Sequence, residues 1–351
     1  MKITKVAQSR LGDVDYRTQA FGALFTDHMV IADYKDGKWS DPEIVPYGPM
    51  TMDPSSSVFH YGQALFEGMK AYKDRDGNAF LFRPDQNIKR FNRSCERLAI
   101  PTIDEEAFLT SLRTLIALDR NWIPEEEGSS LYVRPFVFAT EAAIKANPSM
   151  AYRFCIICAP VASYFSEAIA VKIEERFSRA APGGFGYAKA AGNYAGQFYP
   201  TELAKAEGYQ QVIWTDALTH QYIEEAGTMN IFVRFGDTLV TSPISDTILD
   251  GITRKSMIQL CKDLSIKVEE RPIAVQELLD GFQNGELIEL FGAGTAAVVS
   301  EIKSFGYRGV NYGLDAADDS YGARLKKALT DIQRNRAEDI HQWRYPIKAD
   351  V

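Results

Sequence analysis

Apolar residues recur along this chain in two periods. After Pro84 the run DQNIKRFNRSCERLA puts Ile88, Phe91 and Leu98 on one helical face. Asp104 can cap the next helix, DEEAFLTSLRTLIALDRNW, which turns Phe108, Leu112, Leu115 and Ile116 inward. YPTELAKAEG, GITRKSMIQLCKDL and AVQELLDG follow as helices, and RLKKALTDIQRNRAEDIHQW is expected to close the chain with one more. Between them lie apolar runs bounded by turn residues, which read as strands: AFLFRP, GSSLYVRPFVFAT, YRFCIICAPV, QQVIWTD, NIFVRFGDTLVTSP and ELIELFGAGTAAVVS. Gly236 and Asp237 turn a hairpin, and DRDGN turns the chain into AFLFRP. The polar stretch ASYFSEA reads as a link. The expected class is therefore α+β in two domains: a small N-terminal α/β domain over 1–161, a linker over 162–168 and a larger domain over 169–351.

Composition narrows the partners. A net charge of −8 leaves no basic footprint for nucleic acid, and no apolar run reaches membrane-spanning length. The N-terminal MKITKVAQSRLGDVD has no apolar signal core, so a cytoplasmic protein is expected. Cys155 and Cys158 form a C-x-x-C inside an apolar strand, where alternation sends their sulfurs to opposite faces; core packing outweighs a redox or zinc pair. The four histidines, at 28, 60, 220 and 341, lack ligand spacing, and a metal site is not expected.

The candidate chemistry gathers around GGFGYAKAAGNYAGQ, where Lys189 lies between two glycine-rich arms with no acid close in sequence. The segment is not a P-loop, because Ala190 and Ala191 follow the lysine, and it lacks the dinucleotide pattern. Such a lysine is a phosphate clamp or a nucleophile. LDGITRKS offers amides at a helix start and FGAGTAA a second glycine turn with the hydroxyl of Thr295; each alone reads as a plain turn, but with Arg90 they could hold one phosphate. Arg90 by itself reads as part of a solvated helix face. In EEAGTMNIFV, adjacent carboxylates point to opposite faces of an extended chain, so one of Glu224 and Glu225 is expected to be buried with a cationic partner. In LYVRP, Tyr132 and Arg134 share one face of an apolar strand, where a buried arginine is expected to find a carboxylate.

Taken in order, FHYGQALFEGMKAY, SLYVRP, GGFGYAKAAGNYAG, EEAGTMNIFV, LDGITRKS and FGAGTAA resemble the branched-chain-amino-acid aminotransferases, pyridoxal-phosphate enzymes of fold type IV. The resemblance runs from about Phe21 to the end. It implies that Lys189 binds pyridoxal 5′-phosphate covalently, that Tyr194 hydrogen-bonds the ring hydroxyl oxygen, and that Glu225 faces the pyridine nitrogen. It implies a phosphate site of Arg90, the amides of Ile252 and Thr253, and Thr295. It implies that Thr228 and the amide of Ala296 meet the substrate carboxylate, with Phe21, Tyr61, Tyr132 and Arg134 lining the side-chain pocket. The implied reaction passes amino groups between leucine, isoleucine or valine and 2-oxoglutarate, in a homodimer whose Tyr61 reaches the neighbouring pocket. Two departures stand out. Where animal members carry a C-x-x-C redox switch this chain has AAVVS, and the segment before the lysine loop is shorter. A D-amino-acid aminotransferase or lyase of the same fold, and a non-catalytic phosphate-binding module, are the rival readings.

Overall fold

The computed structural model describes residues 1–162 and 167–348. It divides into two compact units: Met1–Tyr164 with Ala188–Gly192 and Ile332–Val351, and Phe165–Tyr187 with Asn193–Asp331. Two short segments of the expected second domain thus group with the first unit. Most of the expected linker, residues 163–166, lies outside the described residues.

In the first unit the described strands form a ten-stranded sheet whose centre pairs Ser130–Ala139 with Tyr152–Val161 over ten antiparallel positions. Two helices cover it. Pro84–Arg97 begins with proline at its first position, where no amide is missed, and buries Ile88 and Phe91. Glu105–Leu118 is capped by Asp104, whose carboxylate accepts from the Ala107 amide at 2.8 Å, and buries Phe108, Leu112, Leu115 and Ile116 as the 3.6-residue period predicts. Both helices pack into one apolar core with Val30, Leu131, Val133 and Phe154. Cys155 and Cys158 are buried on their strand, and burial pushes both thiols up, that of Cys155 to about 12.

The expected closing helix is shorter than the sequence suggested. It spans Tyr321–Gln333; Asn335 then adopts a left-handed φ of 56°, and Arg344–Ile347 becomes an edge strand beside Ala79–Phe82. The polar run after Gln333 offers no apolar stripe to continue the helix, and an edge position tolerates Pro346.

The second unit also carries a ten-stranded sheet. The strands Met229–Phe235, Leu287–Gly294, Val298–Tyr307, Ile169–Ile173, Gln211–Thr215 and Tyr222–Ala226 pair in that order, and the last pairs back on the first, closing a barrel. Gly236, with φ of 51°, makes the turn between Met229–Phe235 and Thr238–Thr241, as expected. The helix Ile252–Asp263 follows Gly251. No helix among the described residues is long and apolar enough to cross a membrane.

Candidate active site

Lys189 belongs to the short run Ala188–Gly192 that groups with the first unit. Its amide donates to Ser94 Oγ at 3.0 Å and its carbonyl accepts from the Phe66 amide at 3.2 Å, while Ala190 bridges Leu65. The small residues on either side explain how the lysine backbone comes to lie between a strand end and a helix. Ser94 Oγ donates in turn to the Arg90 carbonyl at 2.9 Å, one turn earlier. The amine, Nζ, lies 5.1 Å from the centre of the Phe66 ring. Burial, and after it the Arg90 charge, lower the amine's pKa from 10.5 to about 8, against the opposing pull of Glu67 and Tyr132. A lysine in this setting is largely able to act as a neutral amine at mildly alkaline pH.

Arg90 is not on a solvated face. It is buried, and Glu67, fully enclosed at 0% exposure, grips it with both oxygens: Oε1 accepts from Nε at 2.7 Å and Oε2 from Nη2 at 2.9 Å. Asn87 Nδ2 and the Gly68 amide donate to the same Oε2 at 2.7 and 3.1 Å. Burial alone would raise the Glu67 carboxyl, but the Arg90 charge and these hydrogen bonds hold it below its ordinary value.

On the neighbouring strand Arg134 and Tyr132 do share one face: Nη2 donates to the Tyr132 hydroxyl at 2.9 Å. The carboxylate expected for Arg134 is not what the structure supplies. Its guanidinium lies 4.4 Å from the Phe66 ring centre and 5.2 Å from that of Tyr132, and its buried Nε has no hydrogen-bond partner among the described residues. Aromatic faces satisfy a planar cation only partly, so this arginine retains capacity for an anion. Phe21, 42% exposed, meets Tyr132 edge to face at 5.1 Å. A methyl group at Gly68 would run into the Tyr132 hydroxyl, so glycine there is needed for the tyrosine's position. Tyr61 stands apart, 45% exposed at the end of a short helix, its ring 6.3 Å from His60.

The other predicted residues belong to the second unit. Both adjacent glutamates are buried, Glu224 at 8% and Glu225 at 4% exposure, contrary to the expectation that only one would be. The strand Tyr222–Ala226 is a barrel strand and each of its faces supplies a donor. Glu225 Oε2 accepts from the Leu249 amide at 2.8 Å and its Oε1 pairs with Arg179 Nε at 3.0 Å. Glu224 Oε1 accepts from the Thr247 hydroxyl at 2.5 Å, its Oε2 has no partner among the described residues, and burial pushes its carboxyl up despite Thr247 and Arg179. Glu225 is thus the acid with a cation at contact.

Asn230 Nδ2 donates to the Leu249 carbonyl at 3.0 Å, so the Leu249 peptide is held on both sides. That fixes the start of the helix at Ile252. Gly251 has no side chain to cap it, and a methyl there would strike Asn230. The first amides of Ile252 and Thr253 therefore face an N-terminus without a side-chain acceptor. Thr295 and Ala296 form the turn after Leu287–Gly294; Asn230 pairs with Ala293, which brings that turn beside Thr228, an exposed residue of the Tyr222–Ala226 hairpin. Tyr194 lies in the short helix Ala191–Ala195, and Asn193 Nδ2 donates to the Phe185 carbonyl at 2.9 Å.

Within each unit, then, the predicted residues come together as a set: Lys189, Arg90, Tyr132, Arg134 and Phe21 in one, Glu225, Ile252, Thr253, Thr228, Thr295 and Ala296 in the other. Sequence reasoning missed Glu67, Phe66, Ser94 and Arg179. Glu67 and Phe66 lie in the quoted LFEGMK, and the pairing of Glu67 with Arg90 is a long-range contact with no local pattern. Arg179 was foreshadowed by the need of a buried glutamate for a cation. In the first unit a lysine amine of lowered pKa beside a gripped arginine suits the capture of an aldehyde; in the second a helix N-terminus without a side-chain cap suits an anion, and a buried carboxylate suits a protonated ring nitrogen.

The family model for amino-transferase class IV matches residues 64–305. The chain is 44% identical over 335 residues to branched-chain-amino-acid transaminase 1 of Bacillus subtilis, covering 94% of each. It is 42% identical to the branched-chain-amino-acid aminotransferase of Mycolicibacterium smegmatis, covering 92% of this chain and 90% of that one. Among solved structures, the branched-chain aminotransferase of Escherichia coli superposes with a TM-score of 0.75 at 25% identity, over 92% of this chain and 99% of the other. That of Thermoproteus uzoniensis, at 23% identity, shares the fold with a TM-score of 0.76, over 92% and 100%.

Proposed function

From its place in the class IV aminotransferase family, to which this chain belongs, we propose that it transfers the amino group of L-leucine, L-isoleucine and L-valine to 2-oxoglutarate, giving branched-chain 2-oxo acids and L-glutamate. The observation that carries the reading is the setting of Arg134: a cation whose buried Nε has no partner among the described residues, over the rings of Phe66 and Tyr132, with Phe21 packed edge to face on Tyr132. One such pocket can take a branched apolar side chain against its rings and a glutamate side chain against its guanidinium. Apolar fit separates substrates that differ by one methylene by only about 1–3 kcal/mol, so all three branched chains are accepted.

Pyridoxal 5′-phosphate, when bound, supplies an aldehyde for amino groups and a ring that delocalises the electron pair left at the substrate Cα. Lys189 would hold it through a neutral amine, and the same amine is the base that would carry the proton away from the substrate Cα. Glu225 keeps a proton on the ring nitrogen, and Tyr194 donates to the ring hydroxyl oxygen. Arg90, the amides of Ile252 and Thr253, and the Thr295 hydroxyl hold the phosphate. Thr228 and the Ala296 amide hold the substrate's α-carboxylate. Phe21, Tyr61, Tyr132 and Arg134 shape the side-chain pocket. The protein acts as a cytoplasmic homodimer, Tyr61 serving the neighbouring pocket, which accords with its exposure in the single chain.

A donor screen with 2-oxoglutarate, run with both enantiomers of leucine, tests this. Turnover of the L-enantiomer together with L-isoleucine, L-valine and L-glutamate is expected. Preference for D-leucine would point to a D-amino-acid aminotransferase. No turnover with any donor would favour a lyase or a phosphate-binding module.

A further inference from the structure

Glu67 has no part in any role set out above, yet its carboxylate is the most completely engaged group around Lys189. It is fully buried and accepts four hydrogen bonds, two of them from the Arg90 fork. The elements that carry this pair are also those that clamp the lysine backbone. Phe66, the residue before Glu67, donates to the Lys189 carbonyl, and Ser94, one helical turn after Arg90, accepts from the Lys189 amide. A displacement of either partner of the pair is therefore a displacement of the lysine's own supports.

Resting on the reaction proposed above, we propose that Glu67 is a positioning residue, which fixes the plane of the Arg90 guanidinium for the cofactor's phosphate and balances that guanidinium's charge beside the Lys189 amine. The groups whose charges act on that amine are Arg90, Glu67, Tyr132 and Arg134. Two of them are permanent cations. Without Glu67, nothing in this set but a phenol would oppose them, and the amine would lose its proton at a lower pH. The fork matters separately. A guanidinium held through Nε and Nη2 presents one defined edge, whereas an ungripped arginine must be ordered again each time an anion binds.

The two roles separate with two aldehydes, pyridoxal, which lacks the phosphate, and pyridoxal 5′-phosphate, each added to apoenzyme while absorbance follows their capture by lysine. Pyridoxal reports the lysine alone. Glu67→Gln keeps the shape and removes the charge; the pH of half-maximal pyridoxal capture should fall by about one unit relative to wild type. Glu67→Asp keeps the charge but draws the carboxylate back by one methylene. Its pyridoxal midpoint should stay near wild type while its preference for the phosphorylated aldehyde over pyridoxal drops at least severalfold. A merely structural Glu67 would lower the melting temperature of both variants and leave midpoint and preference unmoved, which overturns the proposal. Should Glu67→Gln not fold, the preference measured with Glu67→Asp decides on its own. Wild-type protein that captures neither aldehyde would overturn the proposed reaction and this inference together; normal capture with unmoved midpoint and preference overturns this inference alone.

Discussion

Replacing Arg134 with glutamine should split the two half-reactions apart. In the wild type one guanidinium nitrogen is bound to the Tyr132 hydroxyl at 2.9 Å, and the buried Nε has no partner among the described residues. A glutamate side chain reaching Arg134 gains a hydrogen bond to a charged donor, worth about 1.5–3 kcal/mol. Its loss corresponds to roughly 10- to 150-fold in kcat/KM, at tenfold per about 1.4 kcal/mol. Leucine makes no such bond. It suffers only through Tyr132, which loses a hydrogen bond from the charged Arg134 guanidinium, a cost that glutamate shares. The preference for glutamate over leucine should therefore fall by roughly one to two orders of magnitude. Stopped-flow single turnovers of the cofactor-loaded enzyme with each donor measure the two rates without interference from the second half-reaction. Equal losses for both donors would refute the reasoning and leave Arg134 as a support for Tyr132 and Phe66.

The remaining predictions concern charge and assembly. In the apoenzyme the unfolded chain holds the Lys189 proton more tightly than the folded one, because the pKa falls from 10.5 to about 8 on folding. This group therefore costs stability in full below pH 8, and the cost fades as pH rises from 8 to 10.5. Lys189→Met should thus stabilise apoenzyme at pH 7 by about 2–3 kcal/mol, discounted for the lysine's partial exposure, and abolish turnover; denaturant titrations at pH 7 and pH 10 check it, and an equal gain at both would contradict the cause. Glu225→Gln should retain covalent cofactor capture but slow removal of the Cα proton, read as the rate with substrate deuterated at Cα; an unaltered rate would move the ring-nitrogen role to Glu224. Tyr61→Ala and Lys189→Ala, each poorly active alone, should recover toward about half of wild-type activity per heterodimer when subunits are exchanged, provided the sites act independently. If exchange is demonstrated and no activity returns, Tyr61 serves its own chain.

Periodicity was enough to locate the elements that carry the site. Ile88 with Phe91, and Phe108 with Leu112 and Leu115, announced two helices, and the structure buries those faces. Tyr132 and Arg134 announced one face of a strand, because a period of two needs only adjacent residues. The errors came where long-range pairing decides. Arg90 reads as a surface residue in NIKRF, since nothing local reveals that Glu67, 23 positions earlier, will enclose it. The pair Glu224 and Glu225 seemed to require one exposed acid, because donors for both exist only once the barrel closes and brings Leu249 and Arg179 to Glu225 and Thr247 to Glu224. The last helix was drawn too long because charged residues are neutral to the helical period, and only the open edge of Ala79–Phe82 explains why Arg344–Ile347 turns into a strand.

The claim on which the rest depends is that Lys189 is the residue that holds the cofactor. Protein loaded with pyridoxal 5′-phosphate, reduced with borohydride and digested, can be mapped by mass spectrometry for the added phosphopyridoxyl group. The account predicts that group on the peptide containing Lys189, in near one-to-one amount, and its loss from that peptide when L-leucine is supplied before reduction. Label on a different lysine, or an unmodified Lys189 peptide from protein that retains the cofactor, would contradict it.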